Sequence, residues 1–131
     1  MRRQSREIAL QILFQTEFAP QISYKDLMEV IGADSDAETI AYADDLIRGV
    51  QQNKPAIDAK IQSSSAHWKM DRMATIDRNI LRVAVYEMRM APEPLKENIV
   101  INEAVEIAKK FGTTESASFV NGLLDQIAKG R

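Results

Sequence analysis

The chain has no cysteine, which excludes a disulfide framework, a thiolate-bound metal and a thiol nucleophile, and which suits a reducing compartment. Histidine is almost as scarce: His67 is the only one, and beside Trp68 in a polar stretch it fits a surface group better than a general base. Neither a glycine-rich phosphate loop nor a metal-ligand spacing occurs in the 131 residues. Asp44 and Asp45 are adjacent, so on a helix they point apart and make a poor acid/base or metal pair. Enzyme chemistry therefore has little to work with, and no cofactor is implied. The longest apolar runs fall far short of a membrane span, and the N-terminus lacks the apolar centre of a secretory signal, so the cytoplasm is the expected location. Nor does one sign of charge dominate. Seventeen basic against 19 acidic residues leave a formal charge of -2, so any polyanion site has to be local.

What the chain does have is helical periodicity from end to end, with no alternation long enough to make a convincing strand, and it reads as all-α. A first helix is expected from about Gln4 to Phe18, burying Ile8, Ala9, Ile12 and Leu13. Ser23 is placed to cap a short second helix that ends at Gly32, with Leu27, Val30 and Ile31 as its buried face. A third, near Ala37 to Gln52, buries Ile40, Ala43, Leu46, Ile47 and Val50; Pro55 starts or kinks the next, which Asn53 could cap. Ser63, Ser64 and Ser65 mark a loop, and the boundary between an N-terminal subdomain of about 1–65 and a C-terminal one of about 66–131, within a single domain. A strongly apolar helix carrying Trp68, Met73, Ile76, Ile80, Leu81, Val83, Ala84 and Met88 then runs to about Met90, where Pro92 and Pro94 end it. On it, Arg82, Tyr86 and Glu87 read as a packed polar clamp. Two C-terminal helices follow. One buries Ile101, Ala104, Val105, Ala108 and Phe111 and stops at Gly112 in a left-handed turn; the other buries Val120, Leu123, Leu124 and Ile127.

Two places carry residues that helix stability would not select. Arg2, Arg3 and Arg6 crowd a helix N-terminus, whose partial positive charge favours acids. Guanidinium forks beside free helix N–H groups suit phosphate, and a solvated basic tail is the plainer alternative. Asn121 and Gly122 fall inside the last helix, where glycine costs roughly 1 kcal/mol relative to alanine. With Phe119 at the edge of the buried stripe, they could stack on and hydrogen-bond to an unpaired base, or form a tight helix crossing over a core phenylalanine.

Several separated motifs occur in order: Arg2-Arg3-Gln4-Ser5-Arg6-Glu7-Ile8-Ala9-Leu10-Gln11, then Trp68 ahead of Ile76-Asp77-Arg78-Asn79-Ile80-Leu81-Arg82-Val83-Ala84-Val85-Tyr86-Glu87, then the two C-terminal segments. On these the chain resembles the NusB family of bacterial transcription antitermination factors along its whole length. The resemblance implies two small packed helical bundles, about seven helices in all, and no enzymatic activity. It implies binding of boxA-type single-stranded RNA in nascent ribosomal RNA transcripts, jointly with the small-subunit ribosomal protein NusE, within an RNA polymerase antitermination complex. Homodimerisation through the surface that otherwise meets NusE stays open. Carried over by position, Arg2, Arg3 and Arg6 would contact phosphates, and Phe119, Asn121 and Gly122 would form the opposite wall of the RNA groove. Phe14 and Asp77 would face NusE. Gln4 stands where some relatives have a further arginine, and Phe14 where many have tyrosine. A similar module opens certain ribosomal RNA cytosine methyltransferases, and a purely protein-binding helical adaptor is a third reading.

Overall fold

Helix boundaries follow cap chemistry in the computed structural model, which describes residues 2–130. Helix α1 spans Arg2–Phe18, α2 Tyr24–Ile31, α3 Ala37–Gln52, α4 Lys54–Ser64, α5 Thr75–Val85, α6 Glu97–Phe111 and α7 Thr114–Gly130, with a 3₁₀ turn at Met70–Arg72 and a π-helical turn at Tyr86–Met90. The described residues are all-α, as their periodicity requires. Ser23 accepts a hydrogen bond from the Asp26 N–H at 3.1 Å and Asp36 one from the Thr39 N–H at 2.8 Å, so α2 and α3 start where a side-chain oxygen can satisfy a free amide. Ser116 does the same for the Thr113 N–H at 3.0 Å, at the start of α7. No helix among the described residues is long and apolar enough to cross a membrane.

Several expectations need correction. Helix α1 begins at Arg2 rather than Gln4, and Ser5 lies inside it: buried, it donates to the Thr39 carbonyl at 2.8 Å, tying α1 to α3. Val30 lies on the outer face of α2, 77% exposed, because eight residues hold only one fully buried position, Leu27. Trp68 stands outside the central helix and more than half exposed; the chain from Ser65 to Thr75 is an irregular connection in which Gln62 and Ser65 bond the Trp68 carbonyl. Asn53 makes no side-chain bond into α4 and instead closes α3, its amide donating to the Gly49 carbonyl at 2.8 Å. Gly112 is extended (φ -105°, ψ -159°), not left-handed. Glycine fits there for want of room: a Cβ would lie 2.4 Å from Ser116 Oγ, the cap of the next helix.

The core runs through all seven helices. Leu10 and Ile12 of α1, Leu46 and Ile47 of α3, Ile57 and Ile61 of α4, Leu81 of α5 and Leu124 of α7 are all essentially solvent-free. Helices α6 and α7 form the most extensive pair, α1 packs along α3, and α5 touches α1, α4, α6 and α7. The central position of α5 explains its unbroken burial from Asn79 to Val85. Polar groups there need partners, and they have them: Arg82 reaches Asp58 through both carboxylate oxygens (2.8 and 3.1 Å) and Glu17 at 3.0 Å. The expected clamp thus forms toward α4 and α1 instead of toward Tyr86 or Glu87.

Two glycines inside helices have opposite surroundings. At Gly49 of α3 a Cβ would fall 2.1 Å from the Tyr86 ring, whereas at Gly122 of α7 it would meet nothing within 4 Å. The same substitution should therefore have opposite signs. Gly49→Ala displaces the ring and is expected to lower stability by about 1–3 kcal/mol. Gly122→Ala is expected to raise it by about 0.5–1 kcal/mol. Urea midpoints at unchanged m-value check both, and Tyr86→Ala should remove most of the penalty of the first.

Candidate nucleic-acid interface

The three N-terminal arginines share a helix but not an environment. Arg6 lies four residues before Leu10 and seven before Leu13, on the buried stripe of α1, so the helix carries it inward to 6% exposure. There its Nε and Nη2 donate to both oxygens of Glu87 at 2.7 and 2.9 Å, and its Nη1 reaches Glu103 at 3.4 Å. Glu87, 1% exposed, is offered by the π-helical turn and also accepts the Tyr42 hydroxyl. This is a correction: Arg6 is committed to a buried clamp joining α1, α3 and the end of α5, and its guanidinium is not open to phosphate.

Arg3 and Arg2 remain outside. Arg3 is half exposed and forks onto Glu103 of α6 through Nε and Nη2 at 3.0 and 2.8 Å. The hydrogen bond from Arg3, opposed by burial and aided by the charges of Arg3 and Arg6, holds the Glu103 carboxyl below its ordinary range. Arg2 is held differently. Its guanidinium carbon lies 3.8 Å from the centroid of the Tyr42 ring, a cation–π stack, and no described carboxylate pairs with it. Burial first, and then the bond to Glu87, pushes the Tyr42 phenol up to about 12, so it stays a hydrogen-bond donor.

Beside these arginines opens a cleft of about 1080 Å³, its walls taken from α1, α3 and α6 with the segment before α6: Tyr42, Leu95 and Ile99 supply apolar surface, and Asp36, Glu38 and Asp45 add acidic groups to the lining. None of its lining comes from α7. On that helix Phe119 is half-buried against the core, while Asn121 and Gly122 are exposed; the open space around Gly122 rules out a tight helix crossing there. Helix α6 is bonded to α1 through Arg3–Glu103 and Glu7–Lys110 and packs along α7, so the route from the arginines to Asn121 runs across α6. The wall facing the arginines is therefore α3 and α6, not α7 as expected.

A second surface lies at the other end of α1. Glu17 accepts from Arg78 at 2.5 Å and Asn79 at 2.7 Å, which draws the end of α1 onto the first turns of α5. Burial opposes the Glu17 charge, but these hydrogen bonds and the Arg78 and Arg82 charges outweigh it and keep the carboxyl ionised below its ordinary range. Phe14 stacks at a tilt on Phe18, ring centroids 4.7 Å apart, and Phe18 is two-thirds exposed. Asp77, expected to present its carboxylate to a protein partner, is instead buried in the first turn of α5, with Oδ1 lacking any hydrogen bond. A helix N-terminus favours an acid, which accounts for its place. Among the described residues no group of three or more acidic or imidazole side chains could hold a metal.

Sequence reasoning missed Tyr42 and Glu103. The missing signal was a phase: Arg6 and Glu87 both fall on apolar stripes, and two opposite charges on core faces imply a buried pair.

The described residues thus form an all-α protein with a basic helix terminus beside an open cleft. Residues 3–129 match the NusB family model. The transcription antitermination protein NusB of Bdellovibrio bacteriovorus is 70% identical over 98% of this chain and 95% of its own length. The likeness is structural as well: T. maritima NusB superposes with a TM-score of 0.88 at 37% identity, covering 98% of this chain and 91% of that one. A chain from the crystal structure of antitermination factors NusB and NusE in complex with dsRNA shares the fold, with a TM-score of 0.83 at 24% identity, covering 99% of this chain and 97% of that one. The chain belongs to the NusB family of transcription antitermination proteins, a non-enzymatic family.

Removing one member of a buried charge pair strands the other, at about 3–5 kcal/mol. Arg6→Ala is expected to cost that much in chemical denaturation, whereas Arg3→Ala, in solvent, should leave the midpoint nearly unmoved. Alkaline pH tests Tyr42 separately. Because its folded pKa lies above the ordinary 10.0, the folded state holds more protons between pH 10 and about 12, and stability should fall as pH rises through that window. In Tyr42→Phe the fall should be shallower, with Tyr24 and Tyr86, also raised, supplying the remainder.

Proposed function

We propose that this chain binds boxA-type single-stranded RNA in nascent ribosomal RNA transcripts together with the ribosomal protein NusE, and so helps RNA polymerase resist termination. The observation that carries the reading is Arg2: a guanidinium fixed on a tyrosine ring, unpaired by any described carboxylate, at the rim of an open cleft in a NusB-family chain. Arg3 adds a second contact if phosphate displaces or shares its fork with Glu103. Phosphate contacts of this kind position a strand, and exposed side chains then read its bases. Asn121 and Gly122, with the edge of Phe119, are the base-reading surface in this proposal, reached by a strand that crosses α6.

NusE docks, on this reading, at the opposite end of α1, where half-buried Phe14 stacks on exposed Phe18 beside the first turn of α5. An aromatic pair with one exposed ring next to the charged Glu17–Arg78 bridge has the make-up of an interface, an apolar centre with a polar rim. The cytoplasm, where transcripts are made and where a cysteine-free chain needs no disulfides, is the compartment that this function requires.

Titration of boxA RNA, a scrambled strand and a duplex, with and without NusE, tests the reading. Binding should favour boxA and tighten with NusE. The double variant Arg2→Ala/Arg3→Ala takes away two phosphate-neutralising charges and should flatten the dependence of log K on log salt by about 1.4. Equal weak binding to all three RNAs, indifferent to both arginines, would sink it; retained NusE binding in that case would leave a protein-binding adaptor.

A further inference from the structure

Arg2 and Arg3 show two ways of holding a guanidinium in place. Arg3 is held by a carboxylate, which occupies two of its five N–H donors and cancels its charge. Arg2 is held over an aromatic ring, its guanidinium carbon 3.8 Å from the centroid, with no described carboxylate taking its donors or cancelling its charge. Only the second arrangement presents a fixed, fully available fork to a phosphate.

The ring itself cannot drift. Tyr42 is anchored through its hydroxyl to Glu87, and Glu87 is locked by the two-point bond from buried Arg6. Arg6 stands one helical turn from Arg2 on α1, so the residue that fixes the platform and the residue that rests on it share one rigid element. We propose that Tyr42 is a positioning residue for RNA binding: held by the Arg6–Glu87 pair, it stacks Arg2 in a phosphate-ready orientation over the cleft without neutralising it. The inference rests on the RNA reading above and adds to it a residue outside the N-terminal motif.

The consequence is that an arginine which would otherwise sample many rotamers has already lost that freedom before RNA arrives, and preorganisation of this kind raises affinity. The clamp also explains a division of labour among three arginines of one helix: Arg6 sets the platform, Arg2 makes the contact, and Arg3 is shared with Glu103.

The test is a double-mutant cycle on the full chain with NusE, measuring boxA RNA affinity across a salt series. Tyr42→Leu removes ring and hydroxyl, while Tyr42→Phe removes the hydroxyl alone, so the second variant controls for loss of the Glu87 bond. A cation–π stack at an exposed site corresponds to about two- to fivefold, so Tyr42→Leu should lose about that much affinity and Tyr42→Phe markedly less. Tyr42→Leu should also flatten the salt dependence by up to about 0.7, the share of one phosphate on a single strand. In an Arg2→Ala background Tyr42→Leu should lose nothing further. Equal losses in both backgrounds would overturn the inference, because Tyr42 would then act independently of Arg2. Should Tyr42→Leu fail to fold, Arg2→Lys keeps the charge but gives up the planar stack and fork; unchanged affinity there overturns the inference, and a loss of about two- to fivefold sustains it. If Arg2→Ala binds like wild type while Arg3→Ala does not, the inference falls and the RNA reading stands; if neither matters, both fall.

Discussion

The Arg6–Glu87 pair is the constraint on which the N-terminal half of the surface depends. A buried ion pair is rarely the most stabilising choice, since a well-packed apolar pair would avoid the cost of desolvation. What it supplies is direction. Arg6 has one fork and Glu87 two oxygens, and the 2.7 and 2.9 Å bonds between them set how α1 lies against the end of α5. Glu87 has capacity left for the Tyr42 hydroxyl, which brings α3 into the same arrangement, and Glu103 of α6 accepts from both Arg6 and Arg3. Four helical elements are indexed to one another by a handful of polar bonds.

The π-helical turn at Tyr86–Met90 belongs to this arrangement. Its wider backbone lets Tyr86 lie against bare Gly49 while Glu87 points at Arg6, and the Glu87 carbonyl accepts the Leu95 N–H at 2.9 Å as the chain turns toward α6. Such turns are frequent at functional sites. Here the delivered group is the carboxylate that fixes the platform beside the cleft.

Much of this architecture was legible in the residues. The stripes of α1, α3, α6 and α7 mark their buried faces, and Ser23 and Asp36 mark two starts, because local periodicity and caps act over a few residues. Trp68 and Val30 misled for a common reason: an apolar side chain joins the core only if neighbouring elements reach it, as they do at Met73 of the Ser65–Thr75 connection but not at Trp68 or at Val30 on the outer face of α2. The arginine cluster was visible as a motif, but its division was not. Spacing puts Arg2 and Arg6 one turn apart on α1; that one meets a ring and the other a buried carboxylate depends on Tyr42 and Glu87, which lie 40 and 81 residues away along the chain from their partners. Gly49 likewise gave no local sign, since its reason for being glycine is the ring of Tyr86.

Gly122 carries a consequence of another kind. With nothing within 4 Å of where a Cβ would stand, the exposed flank of α7 has a methyl-deep notch in it. Side chains of growing size placed there would extend the surface outward in known increments while leaving the interior of the fold undisturbed. The helix thus contains its own depth gauge: the size at which recognition first suffers reports how close a bound molecule comes to the α7 backbone, in ångströms.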